Sequence, residues 1–509
     1  MAIKIIILVI FILSMVGIGV FFRNKNKSVN DFVLGGRNVG PWLTAFAYGT
    51  SYFSAVVFVG YAGQFGYKFG ISAFWIGIGN AVIGSLLAWL VLAKRTRLMT
   101  HHFSATTMPE FFEKRYNSKG LKLISSIIVF VFLIPYSASV YKGLSGLFGQ
   151  AFGIPFEYCI IGMALLTAVY VVLGGYAATV WSDFVQGIVM IGGIICVVIL
   201  CLNQKGGILN AVELLGKEGT GLTSVLGPDP INLLGVVILT SLGAWGLPQM
   251  IHKFYTIKSK KAVLPAAVIS TVFAVIIAGG SYFLGAFGRL FYTTPVVNGK
   301  AAPVFDNIIP TMVKTLPDFF IGIVIIMVLS ASMSTLSSLV LSSSSTFTLD
   351  FLKGFIRPKM KAKSQMVIIR ILCLVFILLS VAIALDKNPN NLIPTLMSWS
   401  WGALAGSFLG PFIYGLFWKR TTKAAVFAGF FTGIAITVTG FIIFYTGANV
   451  ELFVGNLKFL NSPVNIGAIS ILSSLIVVPI VSLLTPKLKK EIVDDAFSSL
   501  KEDPDTVSA

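Results

Sequence analysis

The chain has 509 residues, of which 56% are apolar and 11% are charged, and its formal net charge is +19. Soluble globular proteins carry about 25% charged residues, so this composition excludes a water-soluble protein of several domains. A basic excess of this size in a soluble protein would point to nucleic acid. Here the distribution of the basic residues indicates a membrane topology, and no nucleic-acid partner is expected.

Apolar segments of about 20 residues, the length that crosses a ~30 Å hydrocarbon core, recur along the whole chain. They predict an all-α polytopic membrane protein with about thirteen transmembrane helices embedded in the lipid bilayer. The predicted spans are 3–22, 41–66, 71–93, 123–149, 156–174, 180–202, 231–251, 263–288, 319–349, 366–385, 393–418, 424–446 and 466–485.

Lysine and arginine are distributed unevenly between the alternate loops that these spans create. One set of loops holds roughly three times as many as the other, and the positive-inside rule places the richer set in the cytoplasm. The N-terminus is therefore predicted to lie outside and the C-terminus inside. The loops predicted to face the cytoplasm begin at Arg23, Lys94, His252, Lys353 and Lys419, and the tail 486–509 lies on the same side.

One acidic residue lies inside a predicted span and away from its ends. Asp183 follows Trp181 and Ser182, about one turn from the cytoplasmic end of the span 180–202. An ionisable side chain at this depth costs at least about 2.5 kcal/mol, which makes it a functional candidate. Asp183 is either a cation ligand or proton site, or it caps its helix or pairs with a lysine in a loop.

A second feature is a face of small and hydroxyl side chains on one predicted helix. Ala331, Ser334, Thr335 and Ser338 fall at positions i, i+3, i+4 and i+7. Such a face is typical of close helix packing with hydrogen bonds between helices. Hydroxyl oxygens are also ligands for Na⁺, and one carboxylate beside such a face has too little charge for a Ca²⁺ or Mg²⁺ site.

Two predicted spans are interrupted near their centres. Small and polar residues occupy 49–55 of the first, and the second contains Gly243, Gly246 and Pro248. These residues disfavour a continuous helix and predict at least a kink. The two breaks begin successive blocks of five spans, and paired broken helices in two inverted halves are typical of a transporter binding site.

Four segments of the sequence resemble the sodium/solute symporter family, which includes carriers of proline, pantothenate, monocarboxylates, sialic acid and sugars. The most specific is the glycine pair followed by Trp-Ser-Asp and a glutamine. The segments are DFVLGGR at 31–37, TMPEFFEKRY at 107–116, GGYAATVWSDFVQ at 174–186 and MSTLS at 333–337.

The resemblance implies a LeuT-type fold, which is an inverted repeat of five plus five helices with one helix before it and two after. The whole chain, 1–509, would then form a single membrane transport domain. Its parts would be the first helix 3–22, the repeats 41–202 and 231–418, the last two helices 424–485 and the cytoplasmic tail 486–509.

The resemblance also implies Na⁺ as the coupling ion and names its ligands. The principal site would use the carbonyl oxygens of Thr50, Phe53 and Ala331 and the hydroxyl groups of Ser334 and Thr335. Some family members have a second Na⁺ site. Its counterparts here, matched in residue type, are Asp183, Ser337 and Ser338.

The solute is less closely defined by the sequence. Sugar-carrying relatives have Gln or Glu just after the first break, where this chain has Val56 and Val57, so a sugar is disfavoured. The segments 136–139 and 246–254 resemble the proline branch of the family. The residues expected to line the solute pocket are Ser54, Ala55, Tyr136, Trp245 and Pro248, with Trp401 closing it.

Lys142 departs from the proline-type pattern, in which an apolar residue is expected at this position. It lies about two turns outward of Tyr136 on the same predicted helix. Its side chain either extends to the outer membrane surface, the usual behaviour of a lysine near the end of a span, or pairs with a carboxylate of the solute.

These observations predict a Na⁺-coupled symporter that imports a small organic solute, proline or another small amino acid or carboxylate, by alternating access. A monomer in the plasma (inner) membrane is expected to suffice, and no span offers the nucleophile and base of an enzyme. The alternatives are a proton-coupled or uncoupled carrier of the same fold, or a Na⁺ symporter for a monocarboxylate, pantothenate, sialic acid or a sugar.

Overall fold

The computed structural model describes residues 2–22, 29–297, 300–301, 303–386, 392–446, 458–498 and 500. The regular secondary structure of this part of the chain is helical except for an isolated parallel bridge between Val39 and Ile257 and one short antiparallel ladder, in which β1 (Val296–Val297) pairs with β2 (Lys300–Ala301). The α-helices are α1 (Ala2–Phe22), α2 (Val29–Leu34), α3 (Pro41–Tyr52), α4 (Ala62–Phe69), α5 (Phe74–Gly79), α6 (Lys94–His102), α7 (Met108–Tyr116), α8 (Lys119–Phe152), α9 (Phe156–Gln204), α10 (Ile208–Glu218), α11 (Pro230–Leu242), α12 (Pro248–Thr256), α13 (Val263–Ala274), α14 (Gly280–Ala286), α15 (Ile308–Lys314), α16 (Asp318–Thr346), α17 (Ala362–Ala384), α18 (Ile393–Phe417), α19 (Lys423–Thr446), α20 (Pro463–Leu484) and α21 (Lys490–Ser498).

Shorter helical segments of other types connect several of these helices. Wider, π-helical turns occupy Val56–Tyr61, Asn80–Leu87, Trp89–Ala93, Val275–Gly279 and Phe347–Ile356. Tighter 3₁₀ turns occupy Gly35–Arg37, Gly70–Ala73, Gly243–Gly246, Gly288–Leu290, Phe305–Asn307 and Lys458–Asn461.

The multi-pass helical architecture predicted from the sequence is confirmed. Among the described residues, nine helices are long and apolar enough to cross a membrane, or up to ten if the bent pair α11–α12 is one span. Helix α9 has 49 residues and contains both predicted spans 156–174 and 180–202. The total of thirteen crossings and the orientation of the termini stay predictions. Arg23, at which the first predicted cytoplasmic loop begins, lies outside the described residues.

The helices form two packed groups with the broken helix α3 between them. In one group α8, α9, α16 and α17 contact one another. In the other, α11 packs on α5 and α13 packs on the π-helical segments that follow α5. Helix α3 contacts α9 and α16 of the first group and α12 and α13 of the second. The break at the end of α3 therefore lies where the two groups meet.

A cluster of three charged side chains, of which Asp350 is buried, joins α7, α8 and the π-helical turn after α16. The Lys122 ammonium lies 2.8 Å from a carboxylate oxygen of Glu113 and 3.6 Å from one of Asp350. The Asp350 side chain is 1% exposed, and its other oxygen has no hydrogen-bond partner in the described part of the chain. The charge of Asp350 is therefore compensated chiefly by Lys122.

Replacing Lys122 by Met is expected to lower the melting temperature of the purified protein in detergent by several degrees. Removing one partner of a buried ion pair costs about 3 kcal/mol or more, because the other charge is left uncompensated. Lys217→Met is the matched control, since Lys217 and its partner Glu213 are both 67% exposed. Equal melting temperatures for the two variants would contradict this account of Lys122.

Candidate functional site

The first predicted break is present at the end of α3. The helix stops at Tyr52, Phe53 has extended backbone angles (φ −105°, ψ 99°), and helical structure resumes at Val56. The last carbonyl groups of a helix lack intrahelical donors. In a membrane such groups must be satisfied within the protein or by a bound ion or water. The break therefore places polar carbonyl oxygens inside an otherwise apolar assembly.

Helix α16 brings its hydroxyl face against this break. The Thr335 hydroxyl donates a hydrogen bond of 3.2 Å to the carbonyl oxygen of Thr50. Phe53 and Ala331 line one cavity of about 10 Å³ beside it. The Ser334 hydroxyl is buried and is directed toward the Asp183 carboxylate on α9. The five residues expected at the principal cation site thus lie on the two elements that meet here.

The second predicted break separates α11 from α12. A 3₁₀ turn follows Leu242, Leu247 is extended, and α12 begins at Pro248 with a bend of 47° between the two halves. The Tyr52 hydroxyl donates a 2.6 Å hydrogen bond to the carbonyl oxygen of Thr240. The two broken helices are therefore bonded to each other next to their breaks.

A buried lysine lies beside Asp183. The Lys253 ammonium is 3.9 Å from a carboxylate oxygen of Asp183, and the two side chains are 2% and 0% exposed. The ammonium also donates a 3.2 Å hydrogen bond to the Ser338 hydroxyl, which is 2.8 Å from the Ser51 hydroxyl. This polar chain connects α9, α12, α16 and α3.

The sequence analysis was wrong about the environment of Lys253, which it counted in the cytoplasmic loop that begins at His252. Helix α12 continues to Thr256, so Lys253 lies on a buried helix face. Hydropathy alone ends the span at 251, because further lysines follow at 258, 260 and 261. The signal that identifies Lys253 is the unpaired acidic residue Asp183 in another span, since each buried charge requires a partner.

The residues proposed for a second cation site are only partly brought together. Asp183 and Ser338 both face the Lys253 ammonium. The Ser337 hydroxyl instead donates to the carbonyl oxygen of Ser334 on its own helix, at 2.9 Å. The position next to Asp183 is therefore shared with a lysine, which the sequence analysis did not anticipate.

Trp401 lies between the two breaks and the long helix α8. Its ring is edge-on to Tyr136 at 5.7 Å and stacked on Tyr52 at 6.1 Å. On another side it approaches Gly243 so closely that a Cβ there would lie 2.8 Å from the indole ring. The Trp401 indole nitrogen is buried and has no hydrogen-bond partner among the described residues, and the buried Tyr136 hydroxyl is directed toward Ser54. This aromatic cluster offers two polar groups to a solute.

The other predicted solute residues surround the breaks but differ in where their polar atoms point. The Ser54 hydroxyl accepts a 3.1 Å hydrogen bond from the backbone of Val56. Ala55 lies within van der Waals distance of Gly143 on α8. The Trp245 indole donates to the carbonyl oxygen of Ile83, at 2.9 Å, so its polar edge is already used. Pro248 is buried as the first residue of α12.

Lys142 is half-buried on α8, and its ammonium donates a 2.8 Å hydrogen bond to the carbonyl oxygen of Asp386. Asp386 follows α17 at the end of a described segment. This contact is with a connecting segment and fits the interpretation in which the lysine extends to the membrane surface. Its pairing with a solute carboxylate stays a prediction.

Comparison with known sequences gives one consistent family. Residues 32–433 match the Sodium:solute symporter family. The sodium/proline symporter of Haemophilus influenzae is 33% identical over 446 residues, which are 84% of this chain and 86% of the relative. The sodium/proline symporters of Escherichia coli and Staphylococcus aureus are 30% and 31% identical, over 84% and 85% of this chain and 86% and 85% of theirs.

Solved structures support the fold. A substrate-bound, outward-open Na⁺-coupled sialic acid symporter superposes with a TM-score of 0.76 at 19% identity, covering 96% of this chain and 98% of the other. A nucleobase-cation-symport-1 family transporter gives a TM-score of 0.52 at 13% identity, covering 91% and 97%. At these identities the likeness concerns the fold alone.

Replacing Thr335 by Ala is expected to weaken Na⁺ binding. Losing one oxygen ligand of an ion should raise the Na⁺ concentration for half-maximal thermal stabilisation of the detergent-purified protein about tenfold. Ser332→Ala is the matched control, because the buried Ser332 hydroxyl donates to the Val328 carbonyl of its own helix. An unchanged Na⁺ requirement in Thr335→Ala would count against this site.

Proposed function

Because the chain belongs to the sodium:solute symporter family, whose members are Na⁺-coupled membrane transporters and not enzymes, we propose that it imports proline together with Na⁺. The support for proline is that relatives from three bacteria, all named sodium/proline symporters, match more than four-fifths of the chain. A monomer in a bacterial plasma (inner) membrane is the proposed working unit.

The observation that carries the proposal is the character of the side chains around Trp401, which would line the solute pocket. Two valines, Val56 and Val57, follow the first break, and both are buried. Tyr136 and Trp401 supply aromatic surface with one buried polar group each. A pocket of this kind suits a small solute with an apolar ring better than a sugar, whose many hydroxyl groups each need a partner.

The proposed cation site explains how Na⁺ would prepare this pocket. The Thr335 hydroxyl donates a hydrogen bond to the Thr50 carbonyl oxygen. Na⁺ would take the place of that hydrogen, and the Thr335 and Ser334 oxygens would then both point to the ion. The ion would hold α3 against α16 and fix the backbone next to Ser54. By linkage, the solute must tighten Na⁺ binding by the same factor.

The driving force follows from membrane electrostatics. One Na⁺ that moves inward across about 100 mV contributes about 2.3 kcal/mol. That free energy supports a solute concentration ratio of about 50 even without a Na⁺ concentration gradient. One ion per cycle is therefore sufficient for substantial accumulation, which makes the number of coupled ions a meaningful question for this chain.

The test is uptake of radiolabelled proline into proteoliposomes with an inward Na⁺ gradient, compared with an equal K⁺ gradient. Uptake with Na⁺ alone supports the proposal. Unlabelled monocarboxylates, pantothenate, sialic acid, sugars and other amino acids serve as competitors that identify a different solute. Proline uptake that is independent of Na⁺ and driven by a proton gradient would identify a proton-coupled carrier. Proline uptake that depends on neither gradient would identify an uncoupled carrier.

Replacing Tyr136 by Phe tests the solute pocket. The ring stays on Trp401, but the buried hydroxyl is lost, so the KM for proline should rise about fivefold, as expected for about 1 kcal/mol from one hydrogen bond. The Na⁺ dependence should not change. Tyr61→Phe is the control, since the Tyr61 hydroxyl already has Ser398 as a partner, at 3.2 Å. Equal KM values for proline in Tyr136→Phe and the wild type would show that the Tyr136 hydroxyl does not bind the solute.

A further inference from the structure

We propose that the Lys253 ammonium is the resident cation of Asp183, and that it takes the place of a second Na⁺ so that the carrier couples to one ion per solute. This inference rests on the proposed Na⁺-coupled transport. It assigns a role to a residue outside the predicted site, and it distinguishes between the one-ion and two-ion cycles that the sequence leaves open.

The first argument is charge compensation. Asp183 and Lys253 are 0% and 2% exposed and lie on different helices, with 3.9 Å between the nearest charged atoms. Buried charges are retained when they are paired. Together the two groups are neutral, so Asp183 needs no ion from solution, and a Na⁺ bound there would leave Lys253 as an uncompensated cation.

The second argument concerns the oxygen atoms that a second Na⁺ would need. The Ser338 hydroxyl accepts a hydrogen bond from the Lys253 ammonium at 3.2 Å and lies 2.8 Å from the Ser51 hydroxyl. The Ser337 hydroxyl is bonded to its own helix. Of the residues matched to a second site, Ser338 is engaged by the lysine and Ser337 is turned away.

The third argument is the reach of the lysine side chain. The Lys253 ammonium lies 3.9 Å from the nearest carboxylate oxygen of Asp183, beyond hydrogen-bond distance, so it compensates the carboxylate by charge at a distance. The ammonium of a lysine is a compact charge on a flexible stem of four carbons. The ammonium can therefore stay with Asp183 when α12 shifts during the transport cycle, as a protein-borne substitute for an ion that enters and leaves.

The position of Lys253 also connects it to the principal cation site. Ser51 follows Thr50, whose carbonyl oxygen accepts the Thr335 hydrogen bond. The chain Asp183, Lys253, Ser338 and Ser51 thus ends at the backbone that would bind the coupled ion. Lys253 is a positioning residue in this scheme, because it acts on the site through Ser338 and Ser51.

The experiment counts bound ions. Equilibrium binding of ²²Na⁺ to the full-length protein in detergent should give one ion per chain for wild type. Lys253→Met removes the ammonium and keeps the length of the side chain, so a second ion should bind at the uncompensated carboxylate. The double variant Lys253→Met with Asp183→Asn should return the count to one, and Lys253→Arg should keep it at one.

The flux ratio of ²²Na⁺ to labelled proline in proteoliposomes is the second measurement, and it should rise from one to two in Lys253→Met. Two ions on the wild type, or one on a folded Lys253→Met, would overturn the inference. If Lys253→Met does not fold, the numbers of Na⁺ ions bound to the wild type and to the double variant still test the inference. A wild type that binds no Na⁺ would contradict the proposed function itself, and binding of one ion without proline transport would contradict only the choice of solute.

Discussion

The structure depends on one constraint, which is that backbone groups freed by a broken helix cannot be left without partners inside a membrane. Helix α3 ends at Tyr52, and the Thr335 hydroxyl of α16 donates a hydrogen bond to the carbonyl oxygen of Thr50 in its last turn. The same requirement explains why hydroxyl side chains concentrate on one face of α16. A cation would be an alternative partner for the same oxygen atoms, so in the proposed site the defect in the helix and the affinity for an ion would have one origin.

Much of this arrangement could be predicted from the sequence because its determinants are local. The glycines and proline around 241–248 identify the second break, and the spacing of Ala331, Ser334 and Thr335 identifies the face of α16. Apolar runs located most of the helices. Which residues meet across helices is not local information, so the hydrogen bond between Tyr52 and Thr240 could not be predicted in this way.

Lys253 shows why the remainder could not be predicted. A lysine near the end of an apolar segment has the same sequence pattern whether it faces lipid headgroups or a buried carboxylate. Two unit charges about 4 Å apart attract by about 4 kcal/mol at an effective dielectric constant of 20. That attraction depends on Asp183, which lies on another helix. Ser337 is the opposite case. Its residue type suits an ion, but its hydroxyl is hydrogen-bonded within its own helix.

The hydrogen bond from Tyr52 to Thr240 has a consequence for leakage. It joins the half-helix that would bind the ion to the half-helix that precedes the solute pocket, at 2.6 Å and away from water. A carrier dissipates the ion gradient when the ion crosses alone. If either half-helix tilts without the other, this buried hydrogen bond is lost where water cannot readily replace it. Movement of the ion without the solute is thus disfavoured by the cost of breaking this hydrogen bond, independent of how tightly the ion or the solute binds.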